Sequence, residues 1–207
     1  MKRHAAVAIT VATAALRLQA QVPGGEVEQG VQGSRPALVA AASFDGLGMG
    51  FAGTTTGNPG RNPSDNALSV GPNHIVQIVN SRYAVFSKKG SMFDSTGRVL
   101  VGALPTNSLF AGFGGQCEAR NNGDAVVKYD QLADRWILTQ FAVSASPYAQ
   151  CIAVSTSGDP TGTFYRYAYS YGTDFNDYPK MGVWPDGYYM TYNIFKGGRT
   201  FGGSRVC

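Results

Sequence analysis

Acidic and aromatic residues that suit sugar recognition occur together near residue 180. Asp177 and Tyr178 begin the segment DYPKMGVWPDGYY, which continues through Trp184 and Asp186. An aromatic ring can stack on the apolar face of a sugar, and a carboxylate accepts hydrogen bonds from hydroxyl groups. We therefore take Asp177, Tyr178, Trp184 and Asp186 as candidate ligand contacts on loops, with a glycan or a cell-surface polymer as the expected partner.

Aspartates also recur at predicted strand starts and turns. The six most suggestive are Asp124, Asp130, Asp134, Asp174, Asp177 and Asp186. Converging carboxylates would form a calcium site or the acid pair of a glycosidase. An Asp in a turn more often binds its own backbone, and this role is the favoured one for these residues. Calcium is therefore a candidate ion without assigned ligands, and no residue is assigned as catalytic.

Two other residue sets have a favoured structural role. His74 is the one histidine after residue 20, which excludes zinc sites that need two or more histidines. A partly exposed position at a turn is expected for it. Tyr165, Tyr167, Tyr169 and Tyr171 alternate along one strand and share one face, for which a packed sheet face is favoured over a sugar platform.

The chain contains three cysteines, Cys117, Cys151 and Cys207. In an oxidising compartment Cys117 and Cys151 are expected to pair, closing a loop of about thirty residues, with two buried free thiols as the alternative. Cys207 is left without a partner. It follows the strand-like Arg205-Val206, so the chain is expected to stop within a β element.

The elements that position these residues are short strands. Between Asp124 and Tyr171 four apolar and aromatic runs alternate with turn-like gaps rich in Gly, Pro, Asp and Ser. The runs are Ala125–Tyr129, Arg135–Val143, Gln150–Ser155 and Thr163–Tyr171. Four consecutive strands of this kind predict an antiparallel four-stranded meander, the unit that a β-propeller repeats as a blade.

Similar patterns begin at Asp65, Asp124 and Asp177, at intervals of roughly 50 to 60 residues. The predicted fold is all-β, with about three partial propeller blades at residues 64–122, 123–176 and 177–207. A β-sandwich is the alternative. In the first repeat, Ser95-Thr96-Gly97 predicts a hairpin turn between Met92-Phe93 and Val99–Val101. Three blades cannot close a ring, so the ring is expected to be incomplete, with its C-terminal blades missing from this chain.

The N-terminus has the pattern of an export signal. Basic residues at positions 2 to 4 precede an apolar run that is too short to span a bilayer, which predicts a signal peptide over residues 1–20. Those residues contain three of the 17 Lys and Arg and none of the 13 Asp and Glu, so the remainder is close to neutral. This excludes a basic nucleic-acid footprint. Residues 21–63 are Gly- and Pro-rich and predict an irregular leader.

Several motifs in the second and third repeats resemble those of a known family. Ser157-Gly-Asp159-Pro-Thr161-Gly-Thr163-Phe164 resembles a degenerate Asp-box, the turn of sialidase-type propellers, with a structural role. Together with the segments that begin at Gly123, Cys151 and Asp177, it resembles large secreted bacterial proteins of uncharacterised function with an N-terminal β-propeller. Ala125 replaces the proline usual in that family. The resemblance implies secretion, a propeller and a missing C-terminal part, and it supplies no catalytic residues.

The expected function is extracellular binding or adhesion. The alternatives are a sialidase-like glycoside hydrolase or polysaccharide lyase, and a structural spacer of a surface protein. A hydrolase requires two carboxylates about 5–10 Å apart in a pocket, whereas a binder requires exposed aromatic side chains. A spacer requires neither.

Overall fold

The computed structural model describes residues 40–48, 50, 51, 53 and 63–207, together with Gly30 and Gly33. The predicted signal peptide lies outside the described residues, as does most of the predicted leader. The chain divides into residues 1–39 and residues 40–207, and all the elements below belong to the second unit.

The described chain folds into three antiparallel sheets, and β-branched and aromatic residues occupy much of their length. Sheet 1 contains β1 (Ala67–Val70), β2 (His74–Val79), β3 (Arg82–Ser87) and β4 (Val99–Pro105). Sheet 2 contains β5 (Val126–Asp130), β6 (Arg135–Ala142), β7 (Tyr148–Ser155) and β8 (Phe164–Gly172). Sheet 3 contains β9 (Phe175–Trp184), β10 (Gly187–Lys196) and β11 (Thr200–Val206).

Each sheet is a meander, because every strand pairs with the next strand along the chain. The all-β prediction and the antiparallel meanders are therefore confirmed. The first strands of successive sheets are neighbours, since β1 contacts β5 and β5 contacts β9. The first strands of the three sheets consequently lie side by side, in the order β1, β5, β9.

The predicted hairpin at residues 92–101 is wrong. Residues 88–98 form a loop, and Ser87 at the end of β3 anchors it: its N–H donates to the Arg98 carbonyl at 2.8 Å, and its hydroxyl donates to the Ser95 carbonyl at 2.9 Å. Phe93 packs edge-on against the ring of His74, with centroids 5.4 Å apart, instead of pairing with a strand. The packing of Phe93 on the buried His74 ring therefore outweighs the local preference of Ser95-Thr96-Gly97 for a hairpin turn.

The interface between sheets 1 and 2 is a closed core built around Trp136. The Trp136 indole is fully buried, lies 4.9 Å from the Tyr129 ring, and donates its Nε1–H to the Gly158 carbonyl at 3.0 Å. Glycine is required at position 71, because a Cβ there would lie 2.7 Å from the Trp136 ring. The sheets thus approach closely where the indole is inserted.

The connection from β4 to β5 fills the outer part of this interface. It contains a 3-10 helix (Thr106–Phe110) and a short helix α1 (Gly115–Ala119), neither of which the sequence predicted. Phe110 is fully buried, and Cys117 of α1 forms a disulfide with Cys151 of β7, with a Cα–Cα distance of 5.6 Å. The predicted disulfide is therefore confirmed, and it fixes this connection to sheet 2.

The interface between sheets 2 and 3 has a smaller core. Ile137 of β6 packs with Met181 of β9 and with Met190, Tyr192 and Ile194 of β10. Only Thr173 and Asp174 separate β8 from β9. No connecting segment is therefore available to fill the outer part of this interface.

A segment before β1 covers the other face of sheet 1. The rings of Phe44 and Phe51 lie 5.1 and 5.9 Å from the ring of Phe86, and the Leu47 N–H donates to the Gln77 side chain at 2.7 Å. These contacts bury apolar strand residues that would otherwise face water. Part of the predicted leader thus belongs to the core of the fold.

Candidate functional site

A cavity of about 500 Å³ opens between the first strands of the three sheets, where β1 and β5 begin. We call it the strand-start cavity. Its wall comes from the beginnings of β1 and β5, from the residues just before them, and from the middle of β9. The polar and aromatic side chains in the wall include Asp65, Asp124, Lys128, Tyr178 and Lys180. Its volume lies in the range of small-ligand sites.

The backbone is strained around this cavity. Asp65, Asp124 and Tyr178 have φ angles of 37°, 44° and 53°, and all three residues line the wall. Aspartate enters this left-handed region more readily than most residues, whereas a bulky residue such as tyrosine is an outlier there. Strain of this kind persists only where the surroundings impose it, and it is concentrated at functional sites.

Asp124 is the most perturbed acid of the cavity. Burial raises the pKa of its carboxyl, and the nearby carboxylates of Asp65 and Asp177 raise it further. A hydrogen bond from the Tyr178 backbone N–H and the charge of Lys180 act in the opposite direction. Since burial and like charges both favour the neutral form, Asp124 holds a proton more strongly than an exposed aspartate.

Asn80, in the turn after β2, binds the side chain of Asp65 and lies against Gly123, the residue before Asp124. Its Nδ2 donates to Asp65 Oδ2 and to the Pro63 carbonyl, both at 2.9 Å. Gly123, just before Asp124, has a φ of 103°, and any side chain there would collide with Asn80 Oδ1. The turn between β2 and β3 therefore holds in place the residues that precede β1 and those that precede β5.

Tyr178 and Lys180 present an aromatic ring and a cation together. Lys180 Nζ lies 3.6 Å from the centroid of the Tyr178 ring, and 56% of the Tyr178 surface is exposed. A cation over a ring face gains about 0.5–1 kcal/mol at exposed sites. This contact holds both groups in the cavity wall, where a ligand would meet them.

The structure separates the four predicted ligand contacts. Tyr178 lines the strand-start cavity and Asp177 lies close enough to raise the pKa of Asp124, but both belong to β9 and not to a loop. Trp184 ends β9, about 20 Å along the strand from Tyr178. It is 69% exposed, and Asp186 in the next turn accepts a hydrogen bond from Tyr189 Oη at 3.0 Å. Asp177 and Tyr178 are brought to the cavity, and Trp184 and Asp186 are not.

The other predicted acids have structural roles. Asp130 Oδ1 accepts N–H bonds from Leu132 and Ala133 at 2.9 and 3.0 Å, which is the favoured turn role. Asp134 accepts the Tyr129 hydroxyl at 2.6 Å, and Asp174 is paired with Lys196 at 2.6 Å. The likeness of residues 157–164 to an Asp-box is matched by hydrogen bonds from the Thr161 N–H and hydroxyl to Asp159 Oδ1, at 2.8 and 2.7 Å.

The expected exposure of His74 is wrong, since its surface is only 3% exposed. Phe93 of the loop after β3 covers its ring, and its Nε2 lies 3.7 Å from Asp159 Oδ1 of sheet 2. Burial lowers the pKa of the His74 imidazole, and the charge of Asp159 partly opposes this decrease. His74 belongs to the contact between sheets 1 and 2 and not to the cavity.

The expected packing of the tyrosine stripe is also wrong. Tyr165, Tyr167 and Tyr169 are 59%, 44% and 54% exposed, and only Tyr171 packs on a ring of sheet 3, that of Tyr192, at 5.1 Å. The stripe borders a second cavity of about 670 Å³ between sheets 2 and 3. We call it the tyrosine cleft. It is lined by Ile152, Val154, Tyr167, Tyr169, Ser170, Tyr171, Tyr188, Met190, Tyr192, Arg205 and Cys207.

Sequence reasoning missed three charged residues of the strand-start cavity as site residues. Asp65 is predicted only as a repeat start, and Lys128 and Lys180 lie in the segments that begin at Gly123 and Asp177 without a predicted role of their own. The two-residue spacing of Tyr178 and Lys180 was an available signal, because residues so spaced in a strand share a face. Lys128 lacked such a signal, since only the contact between β5 and β9 brings it to the cavity.

Comparison with protein-family models, curated proteins and solved structures gives no match for this chain. In the part of the chain that the structure describes, no three His, Cys, Asp or Glu side chains form a group that could hold a metal ion. The calcium hypothesis therefore gains no ligand set. None of the helices among these residues is long and apolar enough to cross a membrane.

Proposed function

We propose that the three sheets are consecutive blades of a β-propeller. Each sheet is a meander, and the first strands of neighbouring sheets lie side by side, as the inner strands of adjacent blades do. A ring needs at least four blades, so the proposal requires further blades. Trp184, Phe201 and Val206 expose apolar surface on sheet 3 that a further blade would cover.

We further propose that the protein is exported and acts at the cell surface or outside the cell. The basic and apolar pattern of residues 1–20 supports export. The disulfide between Cys117 and Cys151 supports an oxidising compartment, because such bonds are rare in the reducing cytosol.

In this setting the protein is an extracellular binding module for a glycan or a surface polymer, and the strand-start cavity is its binding site. The supporting observation is the convergence of the starts of β1 and β5 and the middle of β9 on one cavity, with Tyr178 strained in its wall. The Tyr178 ring offers a stacking surface, while Asp65, Asp124 and Lys180 offer acceptors and donors for hydroxyl groups. A few polar groups around an aromatic surface are typical of small-ligand sites.

The test is binding of the full chain to a glycan array, with and without calcium, followed by titration of the best ligand. Tyr178→Ala should weaken binding by about tenfold or more, as loss of a central aromatic contact does. Tyr165→Ala is the matched control, because Tyr165 has similar exposure and lies outside the cavity. Equal affinity of the two variants, or no glycan binding at all, would refute this site.

A glycoside hydrolase is the second candidate, and the environment of Asp124 favours it. A general acid needs a raised pKa and a second carboxylate nearby. Burial raises the pKa of Asp124, and the carboxylates of Asp65 and Asp177 lie near it. Asp124→Asn keeps the shape and the left-handed backbone preference of the residue. If the protein is a hydrolase, this variant should bind the ligand but release no reducing sugar. If the wild type also releases no reducing sugar, the hydrolase is excluded and the binding module is the remaining proposal.

A further inference from the structure

The tyrosine cleft exists because nothing in the described chain fills the outer part of the interface between sheets 2 and 3. At the equivalent place between sheets 1 and 2, the 3-10 helix and α1 occupy the space. Between β8 and β9 the connection is only Thr173 and Asp174. The tyrosines of β8 are therefore left facing an open cleft.

The lining combines apolar rings with uncharged hydroxyl groups. Tyr167 and Tyr169 are about half exposed, and neither packs on another aromatic ring within the described part of the chain. Burial is the main cause that raises the pKa of Tyr188 and of Tyr192 to about 12, so both phenols are neutral at ordinary pH. Tyrosine offers a rigid amphipathic surface at a low cost in conformational entropy. A pyranose, with a C–H face and a rim of hydroxyls, matches such a surface.

Among the residues that line the cleft, Arg205 alone has a charged side chain. Its guanidinium lies 5.6 Å from the Tyr171 ring centroid. Its nearest acid, Asp174, is 3.9 Å away and is already engaged by Lys196 at 2.6 Å. Among the described residues no hydrogen bond uses the Arg205 guanidinium, so its paired donors remain available for a carboxylate.

An added β-strand fits the cleft less well than such a ligand. The described chain pairs β11 with β10 alone, which leaves the other edge of β11 open. The pairing with β10 is interrupted by a bulge at Gly202 and Gly203, where Gly203 has a φ of 99°. Bulges of this kind blunt an edge against further pairing. A ligand recognised by side chains is therefore favoured over one recognised by the backbone.

We propose that the tyrosine cleft binds a segment of an acidic polysaccharide. Its sugar rings stack on Tyr167 and Tyr169, and a carboxylate of the sugar binds Arg205. This is a second site, separate from the strand-start cavity. It shares the carbohydrate class with the proposed function but does not depend on binding at Tyr178.

The test is calorimetric titration of the full chain with oligogalacturonate and with the same oligosaccharide as its methyl ester. Esterification removes the carboxylate charge and keeps the sugar rings, so the acid form should bind about tenfold more tightly. That preference should weaken as salt is added, because the Arg205 contact is partly exposed. Equal binding of the two forms, or binding of neither, would overturn the proposal.

Substitutions in the lining test whether oligogalacturonate binds in the tyrosine cleft. The double variant Tyr167→Ala, Tyr169→Ala should reduce affinity for oligogalacturonate by about tenfold or more. Tyr165→Ala is the control, since it lies on the same strand but outside the lining. Arg205→Gln should abolish the preference for the acid form, and Arg205→Lys should retain part of it. These side chains are half-buried or exposed, so folding should persist, and circular dichroism and thermal unfolding verify it.

Two further outcomes separate this site from the alternatives. Tyr178→Ala should leave oligogalacturonate binding in the cleft unchanged, so loss of binding in that variant would move the ligand to the strand-start cavity. A peptide copying β8, residues 164–172, tests strand addition. If this peptide slows hydrogen exchange of the β11 amides and oligogalacturonate alters none of the cleft residues, the cleft is a strand-docking site and the polysaccharide proposal is wrong.

Discussion

The two interfaces between sheets use similar strands but differ in what occupies their outer part. Between sheets 1 and 2, buried Trp136 and Phe110, two short helices and a disulfide leave a closed core. Between sheets 2 and 3, a connection of only two residues leaves the tyrosine cleft. The length of the connection, more than the composition of the strands, decides whether an interface is filled or open to a ligand.

Two buried side-chain amides, Gln140 and Asn176, differ in how fully they are hydrogen-bonded. Gln140 of β6 lies at the interface with sheet 1. Its Oε1 accepts a hydrogen bond from the Thr106 hydroxyl at 2.6 Å, and its Nε2 donates to the carbonyls of Cys117 and Arg120. Asn176 of β9 lies at the interface with sheet 2. Its Nδ2 donates to Gln150 Oε1 at 3.2 Å, but its Oδ1 has no partner among the described residues. A fully paired buried amide adds specificity, whereas an unpaired buried acceptor costs about 1–3 kcal/mol. Gln116 of α1 carries the same cost at the first interface, since its buried Oε1 also has no partner among the described residues.

The largest expected effect is that of Trp136→Ala, which should lower the free energy of unfolding by about 3–5 kcal/mol. The variant leaves a cavity in a closed core and removes the hydrogen bond to Gly158. Tyr192→Ala at the open interface should cost less, roughly 2 kcal/mol, because the site borders a cleft that water can enter. Denaturant unfolding of both variants measures the difference, and equal losses would break the comparison.

Removal of the disulfide should have the next largest effect. Cys117 and Cys151 are 34 residues apart, and opening a loop of this size costs about 4 kcal/mol. In Cys117→Ala, Cys151→Ala, native-state hydrogen exchange should accelerate in the connection from β4 to β5 and leave β10 little changed. Uniform acceleration throughout the three sheets would mean that the interfaces unfold as one unit.

Acid should destabilise the first interface through His74. Its folded pKa lies below the unfolded value of 6.5, so the unfolded chain binds the proton more strongly. The stability contributed by neutral His74 is therefore complete above about pH 6.5 and decreases as the pH falls toward the folded pKa. Thermal unfolding between pH 7 and 5 should show this decrease, and His74→Gln should remove it. Persistence of the same decrease in His74→Gln would assign it to other groups.

The smallest effect concerns sheet 3 and has the opposite sign. Tyr178→Asn should raise the free energy of unfolding by up to about 1 kcal/mol, because asparagine tolerates a positive φ better than tyrosine. The same variant should weaken glycan binding, while Tyr165→Asn, with an ordinary backbone, should not be stabilised. A destabilised Tyr178→Asn would show that the contact with Lys180 outweighs the backbone strain.

Local patterns account for most of what the sequence predicted correctly. All four strands of sheet 2 lie within about two residues of their predicted bounds, because alternating apolar runs and turn residues act over a few positions. The predicted pairing of Cys117 with Cys151 is also present. The errors concern contacts distant in sequence. His74 is buried by Phe93 and by a turn of sheet 2, and the tyrosines of β8 are exposed because sheet 3 leaves them uncovered.

The sequence by itself determined the all-β character, the meander order and the pair of cysteines that could bond, because each depends on residue type and short spacing. The tertiary structure alone decided which residues form a site. Asp177 and Tyr178 join Asp65 and Asp124 because the first strands of three sheets lie side by side, whereas Trp184 lies about 20 Å along the same strand. Which side chains meet at a site depends on how the sheets pack against each other. That packing results from many contacts between residues that are far apart in the chain, which local sequence patterns do not reveal.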